Sequence, residues 1–338
     1  GTTGNRFYAE LKYTCTDSKQ EVSDYDRKKD FFKHMNRVRN QLELNKIEMV
    51  HENNESTPVT VAVLDSGIDR KHPDLEGKIL AFQDFVAGRA IPYDDYGHGT
   101  HVCGCIAGSG KISDGIYAGI VPDARLVIGK ILDRRGDGSV EKMAEAMRWI
   151  MELKDAYNIR VLNISIGTGK GYKNQEYDEI RELLNEAWYH GIMIVCAAGN
   201  SGPAGGSISM LGMNRNIITV GCHEGRETYR FGHPCQLYSG RGEVSDIYRK
   251  PDIVAPGTEI ISCKAAPYRG KTIFDKYYCK KSGTSMATAI VSGCCALFFQ
   301  KNPEESNEYC KRRLLQTARN LGEAWNKQGY GMVNPAAM

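Results

Sequence analysis

The chain has 338 residues, 25% of them charged, and a formal net charge of +3. Such balance excludes the clustered excess of base expected of a nucleic-acid binder. No run of about 18 apolar residues reads as a membrane span. The length suits one large α/β domain without forcing a split, and Gly1-Thr2-Thr3-Gly4 carries no apolar signal-peptide core.

In chain order, residues 1–52 read as a polar, charge-rich N-terminal extension. Phe7–Tyr13 suggests a short strand. Asp24–His51 suggests helix, with a partial apolar stripe of Phe31, Phe32, Met35, Val38, Leu42 and Leu44. A loop at Asn53–Pro58 opens the second unit, residues 53–338. From Val59 the pattern changes. Short apolar, β-rich runs at Val59–Leu64, Arg125–Leu132, Val161–Ile166, Gly191–Ala197 and Ile217–Val220 alternate with helical stretches. The helices are expected at His98–Ala107, Ser139–Tyr157, Tyr177–His190 and Met286–Phe299. Strands that are apolar throughout imply a parallel central sheet covered by helices on both faces, a three-layer α/β fold. In such folds, polar residues just past strand ends face the ligand crevice. Asp65, Ser165 and Asn200 all hold that position.

Three polar islands carry chemistry. Asp65 lies in Leu64-Asp65-Ser66-Gly67, where it is either a turn residue or a buried carboxylate holding a histidine tautomer. His98 and His101 share a helix face at i, i+3. They lack the i, i+4 spacing and intervening Glu of a metalloprotease helix, and spacing does not say which one reacts. Ser285 stands at the start of an apolar helix. It is either an N-cap or a nucleophile beside free N–H groups and a positive dipole end. Serine needs a base and an orienting carboxylate to react near pH 7, and Asp, His, Ser is a known chain order for that set. Asn200, in Ala197-Ala198-Gly199-Asn200, is either a turn residue or an oxyanion donor.

Together these segments resemble the subtilisin-like serine proteases over about Val59–Pro335. Asp65-Ser66-Gly67-Ile68, His98-Gly99-Thr100-His101-Val102 and Gly283-Thr284-Ser285-Met286-Ala287 are similar to that family's aspartate, histidine and serine motifs. Asn163-Ile164-Ser165-Ile166-Gly167, Ala197-Ala198-Gly199-Asn200 and Pro251–Gly257 add further matches, and the closest likeness is to bacterial AprX-like, intracellular members. The resemblance implies a three-layer subtilisin-like fold and a serine endopeptidase with Ser285 as nucleophile, His98 as base, Asp65 as its orienter and Asn200 as oxyanion donor. It implies a protein or peptide substrate bound extended between Gly136-Asp137-Gly138 and Ser165-Ile166-Gly167. Val140, Met143 and Ile166 would line an apolar S4 pocket. Ala198, Gly199 and Ser209 would also contact substrate, Ser209 near the floor of S1. Asp94 and Asp95 would either favour a basic P2 residue or form a solvated loop.

No cofactor is expected to be required. Asp74 matches a calcium-binding residue of secreted relatives, but the partner loop Gly108–Tyr117 lacks their Asn-x-Ile-x-Val pattern, so that high-affinity site is expected to be absent, while structural calcium at other sites stays open. Phe7–Leu11 is a candidate autoinhibitory segment across the cleft. The 11 cysteines do not read as a disulfide framework. Cys103/Cys105 and Cys294/Cys295 are too close to pair within each couple, and Cys196 and Cys222 sit in apolar runs. Free buried thiols and a cytoplasmic location are expected, with a secreted protein, already processed, as the alternative. The alternatives in function are a catalytically silent scaffold and a leader-peptide-specific processing protease.

Overall fold

The computed structural model describes residues 6–8, 37–44, 47, 58–168 and 174–338. Most of the helix expected over Asp24–His51 lies outside these, although 37–41 is helical.

The core is a seven-stranded sheet in the order β10-β9-β8-β6-β2-β4-β3. Its strands are β2 (Thr60–Asp65), β3 (Ile79–Asp84), β4 (Arg125–Lys130), β6 (Ile159–Ile164), β8 (Met193–Ala197), β9 (Ile218–Cys222) and β10 (Ile253–Ala255). Every adjacent pair is parallel. The sheet covered on both faces explains the unbroken apolar runs: every residue of β2, β8 and β9 is buried. Edge strand β3 is mostly half-exposed, which is why no apolar run marks it in the sequence.

Helices α1 (His98–Ala107) and α5 (Thr284–Lys301) pack together on one face, and α2 (Val140–Leu153) and α3 (Asn174–Tyr189) pack together on the other. Ser139 caps α2 by accepting from the Lys142 N–H at 3.3 Å. Helix α5 is buried from Thr284 to Phe299, so it reads as apolar all round rather than amphipathic. Among the described residues no helix is long and apolar enough to cross a membrane.

Two smaller sheets are present among the described residues. Strands β11 (Ile260–Cys263) and β12 (Tyr278–Lys281) form an antiparallel hairpin. Strands β5 (Asp137–Ser139), β1 (Arg6–Tyr8) and β7 (Gly167–Thr168) form a three-stranded sheet with β1 in the middle, antiparallel to both neighbours.

One cysteine expectation is corrected. Cys222, read as a free thiol, is disulfide-linked to Cys235, with Cα atoms 5.8 Å apart. The intervening loop turns back on the end of β9, a return that sequence spacing does not reveal. Cys103, Cys105, Cys196, Cys263, Cys294, Cys295 and Cys310 are free and buried, and Cys279 is buried as well.

His101 ties α1 to the hairpin. Its Nε2–H donates to the carbonyls of Ile260 (2.9 Å) and Cys279 (3.2 Å), and Nδ1 faces Cys105 Sγ at 3.7 Å. Burial pushes this imidazole well below its ordinary 6.5, and burial likewise lowers His72 and His223. The folded state therefore holds neutral rings, whereas the unfolded chain binds protons once pH drops below about 6.5. Stability is then lost as pH falls from that value toward the depressed folded values. The urea midpoint is expected to be lower at pH 5.5 than at pH 7.5. His101→Gln, which keeps a donor but does not titrate, should remove up to about 1.4 kcal/mol of that difference. An undiminished difference in the variant would exclude His101 as a contributor.

Candidate active site

Asp65 is the last residue of β2, the strand between β6 and β4, and is fully buried. His98 is the first residue of α1, also fully buried. Its Nδ1 lies 2.7 and 2.9 Å from the two Asp65 carboxylate oxygens. An ionised carboxylate only accepts, so Nδ1 carries the proton and Nε2 presents a bare lone pair. That Nε2 is buried without a hydrogen-bond partner, an arrangement that is costly unless it serves something.

The first turn of α1 is held by close packing and by a second carboxylate. A Cβ on Gly99 would meet the Gly67 carbonyl oxygen at 2.1 Å, so only glycine lets the helix approach the end of β2. The N-cap position, Gly97, has no side chain to cap with. Asp94 does that work from outside the helix. It accepts from Ser66 Oγ, the Gly97 N–H, the Thr100 N–H and Thr100 Oγ at 2.6–2.8 Å, and from the Tyr96 N–H at 3.2 Å. Ser66 Oγ in turn accepts from the Gly99 N–H at 2.9 Å. Asp94 is thus neither a solvated loop residue nor an acidic wall for substrate, and that expectation is corrected. Asp95 is ion-paired at 2.7 Å with Lys130, a buried cation that also donates to the carbonyls of Ser66 and Leu132.

Ser285 enters from α5. Gly283, at φ 146°, sets up the entry, and its N–H donates to the Gly257 carbonyl at 2.9 Å. Ser285 Oγ donates to the Ser165 carbonyl at 2.8 Å, and Ser165 Oγ donates back to the Ser285 carbonyl at 3.0 Å. A buried relay supports this brace: Ser292 Oγ donates to Asn163 Oδ1, and Asn163 Nδ2 donates to Ser165 Oγ, each at 2.8 Å. Asn200 is fixed from its carbonyl side, Oδ1 accepting from the Thr284 N–H (3.0 Å) and Thr284 Oγ (3.1 Å). Its Nδ2 lies where a Cβ on Gly283 would meet it at 3.2 Å. Asp65 and His98 are therefore directly bonded, Asn200 is bonded to the residue before Ser285, and Ser285 rests on Ser165 rather than on His98.

Asp137 and Gly138 lie in β5 and Gly167 in β7, so both flank β1; Gly136 directly precedes β5. Val140, Met143 and Ile166 are buried apolar residues nearby in sequence. The Ala198 carbonyl accepts from the Ser209 N–H at 2.8 Å, and Ser209 Oγ donates to the Ala197 carbonyl at 2.8 Å. The Gly199 carbonyl accepts from the Gly240 N–H at 2.8 Å. Sequence reasoning missed Tyr96, whose ring is 6.4 Å from that of His98 and abuts Gly136; only its place two residues before His98 could have flagged it. Thr284, Asn163 and Ser292 were missed as well. The first stands in the serine motif itself, but the relay partners are brought together only by the packing of α5 on β6.

At the calcium-like position, Asp74 is buried and accepts from Tyr278 OH, the Ile112 N–H (3.2 Å) and Ser109 Oγ (3.4 Å). Among the described His, Cys, Asp and Glu side chains, His72 and Cys263 group with it, and His72 Nδ1 accepts from the Asp74 N–H at 3.1 Å.

Residues 56–332 match the model of the subtilase family. The chain is 36% identical over 288 residues to serine protease AprX of Bacillus subtilis (strain 168), an alignment that covers 82% of this chain and 65% of that protein. It is also 36% identical over 279 residues to subtilisin Savinase of Lederbergia lenta, covering 82% and 90%. Among solved structures it is similar to Sphericase (TM-score 0.68, 28% identity, 85% and 94% covered) and to a cold-adapted subtilisin-like serine proteinase (TM-score 0.62, 25% identity, 85% and 91% covered).

Replacing Asp94 by Asn removes the charge from the helix clamp and puts an NH2 against donors. We expect a loss of about 1.5–3 kcal/mol in unfolding free energy, read from urea midpoints. A change below about 0.5 kcal/mol would show that the clamp is dispensable.

Proposed function

Because the chain belongs to the subtilase family, we propose that it is a serine endopeptidase acting through an acyl-enzyme on Ser285. The observation that carries this reading is the Asp65–His98 pair with its buried, unpartnered Nε2. The reading requires Ser285 Oγ to leave the Ser165 carbonyl and donate to that Nε2. As Oγ attacks a peptide carbonyl, His98 takes its proton and becomes a cation beside Asp65, whose carboxylate holds the ring and stabilises the charge. The Ser285 backbone N–H and the Asn200 side-chain NH2 stabilise the developing oxyanion. His98 passes its proton to the leaving amine, and a water deacylates Ser285 by the reverse path. The substrate is an extended segment of protein or peptide, adding as a strand to the β5 and β7 edges. The reading includes no required metal, supported at the calcium-like position by the three protein donors on Asp74.

A fluorophosphonate probe followed by peptide mapping tests it. Labelling at Ser285, lost in Ser285→Ala, is expected; a folded, unlabelled protein whose Ser285→Ala variant cleaves peptides equally well would favour a silent scaffold. Asn200→Ala should lower kcat by roughly 10²–10³, a size carried over from a side-chain oxyanion donor in another subtilisin. Unchanged kcat in that variant would remove Asn200 from the mechanism.

A second reading concerns β1, which supports the assignment of an autoinhibitory segment by pairing with both β5 and β7. On this reading a substrate strand takes the same place. A tethered competitor works at an effective concentration of order millimolar and raises apparent KM. Deleting residues 1–8 is expected to lower KM several-fold with little change in kcat. An unchanged KM would mean that β1 does not compete with substrate.

A further inference from the structure

A buried charge pair that the mechanism does not use lies beside β9. Lys250 and Asp252 are both buried and are ion-paired at 2.6 Å. The ammonium donates to Asp252 Oδ2 (2.6 Å), the Ile217 carbonyl (3.0 Å) and Thr219 Oγ1 (3.0 Å). Asp252 Oδ2 also accepts from the Thr219 N–H at 2.7 Å. A buried pair of this kind is a weak source of stability, but it gives direction to its neighbour. An ammonium only donates, so the Thr219 hydroxyl accepts from it and turns its own proton elsewhere. That proton goes to the Gly212 carbonyl at 2.5 Å.

From Gly212 the hydrogen bonds lead to the crevice. The Gly212 N–H donates to Ser209 Oγ at 3.3 Å, and Ser209 Oγ donates to the Ala197 carbonyl at 2.8 Å. The Ser209 N–H donates to the Ala198 carbonyl at 2.8 Å, and a Cβ on Gly199 would meet Ser209 Cβ at 3.5 Å. Leu64, Ile164 and Cys196 are in register across β2, β6 and β8. Asp65, Ser165 and Ala197 therefore end one row, and Ser209 leans on the same edge of the sheet that carries Asp65. The turn itself is tightly seated: a Cβ on Gly212 would meet Thr219 Cγ2 at 2.9 Å and Ser209 Oγ at 3.1 Å. Its flanks have their own anchors. The Ser207 N–H donates to the Arg241 carbonyl at 2.9 Å, and Asn214 Nδ2 donates to Asn185 Oδ1 at 3.1 Å.

We propose that Thr219, oriented by the Lys250–Asp252 pair, is a positioning residue for P1 selectivity: its hydroxyl fixes the Ser209–Gly212 turn as a wall of the pocket that receives the P1 side chain. The proposal rests on the endopeptidase reading above and on Ser209 facing substrate. Thr219 touches no substrate and acts through Gly212 and Ser209. Removing its proton leaves a buried Gly212 carbonyl short of a donor, which the turn can relieve only by moving. With both flanks anchored, that movement falls on the pocket wall. Asn200 is held separately, by the N–H and Oγ of Thr284, so the oxyanion donor stays in place while the wall shifts.

The test compares peptides that differ only at P1, Phe against Ala, with labelling by a fluorophosphonate that has no P1 side chain. Thr219→Val keeps the shape and removes the hydroxyl. It should change the Phe-to-Ala ratio of kcat/KM by about tenfold, the low end of what one pocket contact is worth, while the labelling rate at Ser285 stays that of the parent. Thr219→Ser keeps the hydroxyl and should keep the parent ratio. If the valine variant does not fold, Thr219→Ala read against Thr219→Ser serves, since both lack the methyl and only the alanine lacks the hydroxyl. An unchanged ratio in Thr219→Val, the same ratio in Thr219→Ser as in Thr219→Val, or labelling that falls in step with peptide cleavage would each overturn the proposal. A ratio altered by Ser209→Ala but not by Thr219→Val would remove the role of Thr219 and leave the pocket. A parent that neither labels nor cleaves would remove the endopeptidase reading, and this proposal with it.

Discussion

The first turn of α1 pressed against the end of β2 is the contact on which the rest of the site depends. Asp65 and His98 come from elements 33 residues apart, and they meet because nothing but backbone separates Gly99 from Gly67. That proximity is unfavourable for the helix end, whose N–H groups point into a buried space without a capping side chain at Gly97. Asp94 and Ser66 resolve the problem by accepting those N–H groups from the flank. A buried carboxylate is costly unless it is fully hydrogen-bonded, and Asp94 is. The site thus contains two buried acids with opposite duties: one holds the helix, the other holds the imidazole.

Ser285 is positioned by a different device. Its backbone and side chain are both tied to Ser165, and Ser165 is tied through Asn163 to Ser292, one face of the same helix. Residues two turns along α5 therefore fix where the helix begins relative to β6. A polar relay of this kind, fully satisfied and buried, specifies one register for a helix that is otherwise apolar all round and could slide.

Much of this was legible in the sequence. The apolar runs located the buried strands because a sheet covered on both faces imposes no alternation, and Asp65, Ser165 and Asn200 stood out as polar residues at strand ends. Helix α1 was readable to its ends, His98 and Ala107. Half-exposed β3 left no such run, and the β11–β12 hairpin is short, with a charged strand, Tyr278–Lys281. Asp94 was misread because an acid in a polar stretch looks the same whether it faces solvent or five protein donors. The Cys222–Cys235 pairing depends on how one loop returns to β9, and composition carries no trace of that. For the serine motif, local pattern identified the residue and long-range packing supplied its partners.

Among the described residues, the N-terminal extension meets the main body through two unlike kinds of contact. Strand β1 pairs along its backbone with β5 and β7, a kind of contact that tolerates many sequences. Segment 37–44 binds through a buried ion pair, which is specific and costly to break from one side, since removing Arg37 would leave the Glu224 charge with only backbone donors. A generic contact at the channel and a specific one at a distance divide the work.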